Sequence, residues 1–181
     1  IRNTHKDEVL KNLSNDSLYY ITSARQDNTY LVYVRAKGYI YKDTLIHIPN
    51  TAAELTYTIP LSALQKEMVL QLRNIQFDHN SSVLTPSSYA ELDKLVKLMQ
   101  DNPSMQIELS AHTDDVGSEQ YNLRLSQQRG ESVRKYLIRK GVDAKRIIAK
   151  GYGKNKPLVP NDSDENRAIN RRVEFTINEI E

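Results

Sequence analysis

The residues best suited to chemistry are an acid, Asp114, and a base, Arg129, which belong to one short stretch of the chain. Asp114 lies in the segment His112-Thr113-Asp114-Asp115-Val116-Gly117, which follows an alternating apolar stretch. Arg129 belongs to a stripe at helical spacing that also contains Asn122 and Ser126, at positions where an amphipathic helix normally carries leucine. Because sequences tend to break local patterns at functional sites, this combination indicates a binding site.

A carboxylate and a guanidinium on either side of a small cavity suit a zwitterionic ligand. Asp114 can accept hydrogen bonds from an ammonium group, and the planar guanidinium of Arg129 can bind a carboxylate through two parallel bonds. The centre of a free amino acid has this charge pattern. Two simpler interpretations remain open: Asp114 or Asp115 caps the helix, and Arg129 is a solvated helix charge.

Hydrophobic periodicity predicts the elements that position these residues. Over 105–111 apolar residues alternate with polar ones, which predicts a half-buried strand that ends near His112. Over 118–140 the period is helical. A strand that feeds a helix of the same layer brings the connecting loop back over the first turns of that helix. Asp114 and Arg129 are therefore expected to lie close together.

From Leu70 onward, strands and helices alternate in the order strand, helix, strand, helix, strand, short helix, strand. We expect the helices on one face of a mixed sheet. The first helix has a predicted cap and start at Thr85-Pro86 and a predicted end at Asn102-Pro103. Its predicted buried stripe is Tyr89, Leu92, Val96 and Met99, Gly141 is expected to end the second helix, and later strands are predicted over 147–151 and 173–177.

Several of these motifs resemble those of the OmpA-like family, the peptidoglycan-binding domain at the C-terminus of outer-membrane protein A. The resemblance covers about residues 70–177, more than half of the chain. It is carried by His112-Thr113-Asp114, Gly117, Asn122, Leu125-Ser126, Arg129 and Asn170-Arg171-Arg172-Val173-Glu174-Phe175. It implies an α+β class, with a two-layer βαβαβ(α)β domain over 70–181.

The resemblance also implies noncovalent binding of the peptidoglycan stem peptide at its meso-diaminopimelate, with no catalysis and no cofactor. Asp114 would bind the diaminopimelate ammonium and Arg129 its carboxylate. The positions implied to line or support the pocket are Phe77, Asp78, Thr113, Asn122, Leu125 and Arg171, with Phe77-Asp78 at the end of the first strand. Such a protein would work in the periplasm of a Gram-negative bacterium and anchor an outer-membrane or periplasmic assembly to the cell wall.

Three positions depart from the family pattern. Ala111 stands where glycine is usual, Asp115 where asparagine is common, and Gly130 where alanine follows the arginine. Glycine inside a helix costs about 1 kcal/mol relative to alanine. Gly130 is therefore expected to mark either close backbone packing or a looser turn beside Arg129.

The first 60 residues predict a small antiparallel β module, sandwich-like and either truncated or completed by residues 1–13. The segment 29–39 is similar to the closing strands of carboxypeptidase-regulatory-like modules, and its Tyr-rich face would form core or a partner surface. A linker is expected over 61–69. The pairing of the two modules is similar to that in envelope anchors of multiprotein assemblies, including type IX secretion machinery. Strands are predicted over Tyr19–Thr22, Tyr30–Ala36, Thr44–Ile48 and Leu55–Ile59.

Composition excludes several classes of function. Lys and Arg total 25 against 23 for Asp and Glu, and the basic residues are scattered, so nucleic acid is not expected as a partner. The absence of cysteine excludes disulfides but not the periplasm. No apolar run approaches the roughly 20 residues of a membrane helix. Because the chain begins at Ile1, we expect that it is cut from a longer precursor and that any anchor lies outside it.

Metal and phosphate sites find little support in the residues. Gly151-Tyr152-Gly153-Lys154 lacks the spacing of a phosphate-binding loop and is expected to form a turn before Pro157. Asp78-His79-Asn80 begins like a calcium loop, but Val83 stands where that loop requires glycine. The 4 histidines share no ligand spacing. We therefore predict no metal site and interpret His112 as a hydrogen-bonded support for the binding site.

Two other functions fit the same sequence. One is a structural scaffold whose β module binds a protein partner while the OmpA-like site is weak or degenerate. The other is a hydrolase with Ser126 as nucleophile and His112 as base, although no orienting third group is evident. Wall binding by the C-terminal half separates the first alternative from an anchor, and release of soluble muropeptides would reveal the second.

Overall fold

The computed structural model of the protein describes residues 2–3, 27–50, 57–78 and 80–180. The chain divides into two compact units, residues 1–63 and 64–181. The division falls inside the segment 61–69, which the sequence predicts as a linker. Leu64 is already buried, with 8% of its surface exposed.

The N-terminal unit contains an antiparallel sheet of three strands in the order β1-β2-β3. These strands are β1 (Arg2–Asn3), β2 (Asn28–Val34) and β3 (Lys42–Ile48). The strands predicted over 30–36 and 44–48 are therefore present. The described part of this unit holds this one sheet and gives no support to a β-sandwich. The strand predicted over Tyr19–Thr22 lies outside the described residues, and residues 57–59 of the predicted Leu55–Ile59 strand are irregular.

Alternate residues of β2 and β3 face opposite sides of this sheet. Tyr30 and Val32 are buried, with 2% and 7% of their surface exposed. Leu31 and Leu45 are cross-strand partners on the other face, where 38% and 64% of their surface is exposed. This sheet therefore has one buried face and one face with an apolar pair in solvent.

The C-terminal unit is a four-stranded mixed sheet, in the order β4-β7-β5-β6, combined with helices. β5 and β6 are parallel, and the other neighbouring strands are antiparallel. The predicted α+β fold and its order of elements are confirmed. The elements are β4 (Val69–Leu72), α1 (Tyr89–Asp101), β5 (Gln106–His112), α2 (Glu119–Arg139), β6 (Ile147–Gly153), α3 (Asp164–Asn170) and β7 (Val173–Glu179).

The core of this unit is built from alternate residues of the central strands and from one stripe of each long helix, as their periods require. The strands contribute Ile107, Leu109, Ala111, Val173, Phe175 and Ile177, and the helices contribute Leu92, Leu95, Val96, Met99, Leu125, Val133 and Leu137.

The start of α1 is only partly as predicted. A 3-10 turn, Pro86–Ser88, precedes the helix, with Thr85 at its N-cap position and Pro86 as its first residue, but Thr85 makes no side-chain cap hydrogen bond. Tyr89 does not belong to the buried stripe, because it is the first residue of α1 and its ring stacks on Tyr136 of α2 at 5.1 Å. Tyr89 keeps 38% of its surface exposed.

Glycines let α2 approach the sheet closely. A Cβ atom on Gly151 would lie 2.2 Å from the backbone nitrogen of Gln127, and one on Gly153 would lie 2.9 Å from that of Leu123. Gly151 and Gly153 therefore end β6 against the helix, and the predicted turn begins only at Lys154. The sequence could not show this contact, because glycine also favours turns.

Gly130 lies on the face of α2 that packs on the sheet. A Cβ atom there would lie 3.5 Å from the Cβ of Ala149 and 3.8 Å from that of Ala111, which are ordinary contact distances. The nearest backbone atom of the sheet, the nitrogen of Lys150, would lie 3.8 Å away, so the expected close backbone packing is not tight enough to require glycine. A methyl group would fit.

Candidate functional site

The loop that carries Asp114 is fixed at the end of β5, where α2 begins. The backbone N–H of Thr113 donates to the carbonyl of Gly153 at 2.9 Å, so the loop is attached to the end of β6. Gly117 supplies a φ of +94°, and Ser118 then caps α2 by accepting from the N–H of Tyr121 at 3.2 Å. Helix capping therefore belongs to Ser118, and the two aspartates of the loop are not used for it.

Asp114 is paired with Arg171. Its Oδ2 accepts from Nη1 of Arg171 at 2.7 Å, and its Oδ1 accepts from the N–H of Val116 at 3.2 Å. The Asp114 side chain is 15% exposed, whereas that of Arg171 is 46% exposed. The carboxylate is thus oriented by its own loop and already faces a cation.

Arg129 is half-buried beside this pair. Its Nε donates to the carbonyl of Ser81 at 3.0 Å, and its Cζ lies 4.9 Å from the centre of the Phe77 ring. Burial lowers the pKa of Arg129; Tyr121 and Asp114 act to raise it, and Arg171 also lowers it. Arg129 is therefore not a solvated helix charge.

Asp114, Arg129 and Arg171 form one group of interacting charges, which we call the charge cluster. The terminal nitrogens of Arg129 have no hydrogen bond to any residue that the structure describes. These donors are available for a planar anion, because a guanidinium can bind a carboxylate with two parallel hydrogen bonds.

Phe77 and Asp78 were expected at the end of the first strand, which is wrong. β4 ends at Leu72, and a positive φ of 59° at Asn74 turns the chain before it reaches Phe77. Phe77 instead forms an isolated bridge with Leu84 and reaches Arg129 from this loop. Asp78 is exposed, and no contact of its carboxylate with the charge cluster is present among the described residues.

The remaining predicted residues support the loop. Thr113 is 5% exposed and donates from Oγ1 to the carbonyl of Asp114 at 2.9 Å. Asn122 is 2% exposed and donates to the carbonyl of Val116 at 2.9 Å. Leu125 is part of the core at 8% exposed. The side chains of Thr113 and Asn122 therefore bind the backbone of the loop, and Leu125 packs in the core. Of the polar residues on the inward stripe of α2, only Arg129 enters the charge cluster.

His112 is buried behind the site. Its ring stacks on Tyr152 at 5.4 Å, and Nε2 lies 3.2 Å from Oε1 of Glu174. Neither ring nitrogen meets the full hydrogen-bond geometry within the described residues, but the Glu174 carboxylate lies within reach of Nε2 and acts to raise the pKa of the ring, so the supporting role of His112 stays a prediction. Burial, together with Arg172, lowers the pKa of His112 to about 4 against the opposing effect of Glu174. The imidazole is therefore neutral at pH 7.

The hydrolase pair does not form. Ser126 donates to the carbonyl of Leu123 at 2.9 Å and accepts from the N–H of Gly153 at 2.8 Å. Its hydroxyl thus fastens α2 to the end of β6, and it has no hydrogen bond to His112 within the described residues.

Some contributors to the site were not predicted as site residues. Ser81 acts through its backbone carbonyl, which leaves no trace in residue type. Asn170 is fully buried, and its amide binds the N–H groups of Leu158 and Val159 at 2.8 and 3.2 Å, which fixes the loop beside Arg171. The Asn170-Arg171 motif could have indicated this role, because an asparagine side chain can hydrogen-bond backbone groups and so fix the loop next to a site arginine.

A groove of about 550 Å³ lies away from the charge cluster. It has one cation and no acid, so its chemistry does not suit a zwitterion. Its lining residues are Gln120, Leu123, Arg124, Gln127, Gln128 and Gly151.

No group of three potential metal ligands occurs among the described residues. In the same part of the chain, every helix is too short or too polar to cross a bilayer.

The sequence model of the OmpA family matches residues 76–171, which include the whole charge cluster together with Phe77 and Ser81. The chain belongs to the OmpA family. The resemblance seen over 70–177 is thereby confirmed for the second unit, whereas the N-terminal likeness to a carboxypeptidase-regulatory-like module remains unsupported.

Two characterised proteins illustrate what this chain is similar to. Outer membrane porin F of Pseudomonas aeruginosa is 36% identical over 136 residues, which cover 75% of this chain and 39% of porin F. The peptidoglycan-binding protein ArfA of Mycobacterium tuberculosis is 35% identical over 104 residues, 58% of this chain and 32% of ArfA. The chain therefore spans less than two fifths of either protein.

A solved structure has the same fold. The peptidoglycan-associated lipoprotein from Burkholderia pseudomallei superimposes with a TM-score of 0.54 at 30% identity. The match covers 57% of this chain and 87% of the lipoprotein chain.

Proposed function

We propose that the OmpA-like domain binds peptidoglycan noncovalently, through the meso-diaminopimelate of the stem peptide, and is not an enzyme. The observation that carries this proposal is the charge cluster, in which the Asp114 carboxylate and the Arg129 guanidinium act on each other. The names of two relatives support the choice of polymer, since ArfA is called peptidoglycan-binding and the lipoprotein peptidoglycan-associated.

The geometry around Arg129 suits the free end of diaminopimelate. The carbonyl of Ser81 accepts from Nε of Arg129, and the ring of Phe77 packs against the face of the guanidinium. The terminal nitrogens are left to bind a carboxylate. Asp114 offers an acceptor to the adjacent ammonium. A lysine at the same stem position has the ammonium but lacks this carboxylate, so it would leave Arg129 unpaired. The site should therefore prefer diaminopimelate.

Sedimentation with insoluble peptidoglycan of the diaminopimelate type tests the site. We expect Asp114→Ala and Arg129→Ala each to abolish sedimentation, because truncating a partner in a desolvated charge pair costs about 2–5 kcal/mol. The matched control is Arg139→Ala, an exposed arginine on the same helix, which should sediment like the wild type. The melting temperature of all three variants should stay close to that of the wild type.

Two results would contradict this proposal. Full sedimentation of both Asp114→Ala and Arg129→Ala would refute the assignment of these two residues to the binding site. Equal sedimentation of the wild type with lysine-type peptidoglycan would refute the recognition of diaminopimelate while keeping wall binding.

We also propose that the protein is located in the periplasm of a Gram-negative bacterium, associated with the outer membrane or cell wall, where it anchors an envelope assembly. The relative porin F is named as an outer-membrane protein. A second unit, residues 1–63, is available for a protein partner. We propose a component of type IX secretion machinery as this assembly, on the resemblance of the sequence alone.

A scaffold function is the second candidate. The apolar pair Leu31 and Leu45 on the exposed face of the N-terminal sheet favours it, because paired exposed leucines suit a protein partner. In that case the β module would do the essential work, and the charge cluster, already paired through Arg171, would bind weakly. A chain that keeps envelope partners but never sediments with peptidoglycan would support this function.

A further inference from the structure

Arg171 is a second cation in the charge cluster, and the proposed wall binding assigns it no ligand group of its own. Its Nη1 lies 2.7 Å from Oδ2 of Asp114, and its charge lowers the pKa of Arg129. Its guanidinium makes no further hydrogen bond with any residue that the structure describes. The remaining N–H donors of the Arg171 guanidinium are open to an external acceptor.

The charges of the cluster do not balance. One carboxylate, that of Asp114, faces the guanidinium groups of Arg129 and Arg171. A ligand ammonium on Asp114 adds another positive charge, and a carboxylate on Arg129 cancels only one of them. Two ligand carboxylates would neutralise the occupied site, and pairing offsets the cost of removing its charges from water when the ligand covers them.

Arg171 is well placed to take the second carboxylate. Its backbone N–H donates to the carbonyl of Arg167 at 3.0 Å, and the preceding Asn170 is fully buried. The backbone is therefore fixed, while the side chain is 46% exposed. An ion pair this exposed is weak, so a ligand can replace or share it at little cost.

We propose that Arg171 forms a second anion subsite, which binds another carboxylate of the ligand when the ligand ammonium occupies Asp114. This inference rests on the proposed function and extends it. The site would recognise a diamino acid centre together with a neighbouring free carboxylate. In a stem peptide that group is the α-carboxylate of the D-glutamate before diaminopimelate, which becomes neutral when it is amidated.

Calorimetric titration of the full chain with two synthetic peptides tests the subsite. Both peptides are L-alanyl-γ-D-glutamyl-meso-diaminopimelate, with the D-glutamate α-carboxyl either free or amidated. We expect the wild type to bind the free-acid peptide about 10-fold more tightly, as one added charge-assisted contact provides. In Arg171→Gln this preference should fall to within about twofold, and Arg139→Gln should keep the wild-type preference.

Arg171→Lys is a second variant, which keeps the charge without the planar fork and should retain a reduced preference. Equal affinity of the wild type for both peptides, or an unchanged preference in Arg171→Gln, would overturn the subsite while leaving wall binding intact. Loss of both peptides by Arg171→Gln alone would assign Arg171 a structural role and overturn the subsite. The absence of saturable binding by the wild type would overturn the proposed function as well.

Discussion

The buried imidazole of His112 makes the stability of the C-terminal unit depend on pH. Its pKa is about 4 in the folded protein against an ordinary 6.5, because burial and Arg172 disfavour the charged ring. Between these values the unfolded chain binds more protons than the folded one. The free energy of unfolding should therefore decrease as the pH falls below about 6.5, by about 3 kcal/mol once the pH is below 4.

Urea unfolding at pH 7 and pH 4.5 measures this effect. In His112→Gln, which cannot titrate, the decrease between the two pH values should be smaller than in the wild type by about 2 kcal/mol. The chemical shift of the His112 ring protons in the folded protein gives a direct check. A midpoint near 6.5 in that titration would contradict the prediction.

At the scale of residues, the sequence predicts which side chains belong to the site better than it predicts which of them pair with each other. Asp114 and Arg129 can be found from their types and spacing, because an acid in a loop and a base on an inward helical stripe both break local patterns. The pairing of Asp114 with Arg171 cannot be found in this way, since 57 positions separate them and only the sheet brings them together. Asn122 and Ser126 break the same pattern for structural reasons alone.

At the scale of elements, the contact between α2 and the sheet can be tested with two glycines. Gly130→Ala should raise the free energy of unfolding by about 1 kcal/mol, because the methyl group meets neighbours at 3.5 and 3.8 Å and alanine favours the helix. Gly151→Ala is the matched contrast, because its Cβ would lie 2.2 Å from the backbone of α2. It should lower the free energy of unfolding by about 3 kcal/mol.

Urea unfolding of both glycine variants and the wild type provides the measurement. Equal effects of the two substitutions would show that backbone contact with α2 does not determine which glycine is required. A loss of stability in Gly130→Ala would indicate that the turn beside Arg129 needs glycine for another reason.

Element positions could be predicted where one local period dominates. The predicted helix over 118–140 is observed as Glu119–Arg139, since its apolar stripe and its terminal Gly141 agree. The end of β6 was missed, because Gly151 and Gly153 look like turn residues unless the helix above them is known. The end of β4 was also missed, since Asn74, an asparagine with a positive φ, stands in the turn where glycine would have marked it.

At the scale of the whole molecule, the charge cluster belongs entirely to the second compact unit, residues 64–181. That unit has its own sheet, helices and core, so we predict that residues 64–181 fold alone. The isolated fragment should sediment with peptidoglycan as tightly as the full chain. An unfolded fragment, seen by circular dichroism, would contradict the independence of the unit, and a folded fragment without wall binding would shift the function toward the scaffold.

The same fragment separates the two roles that we propose for the two units. If residues 1–63 hold the envelope partner, then cross-linking in cells should recover outer-membrane proteins with the full chain but not with the fragment, while both sediment with the wall. Leu31→Ser combined with Leu45→Ser should reproduce the loss of partners in the full chain, since both leucines lie on the exposed face of the N-terminal sheet. Recovery of the same partners with the fragment would contradict the assignment of partner binding to residues 1–63, because those partners would have to bind the OmpA-like domain itself.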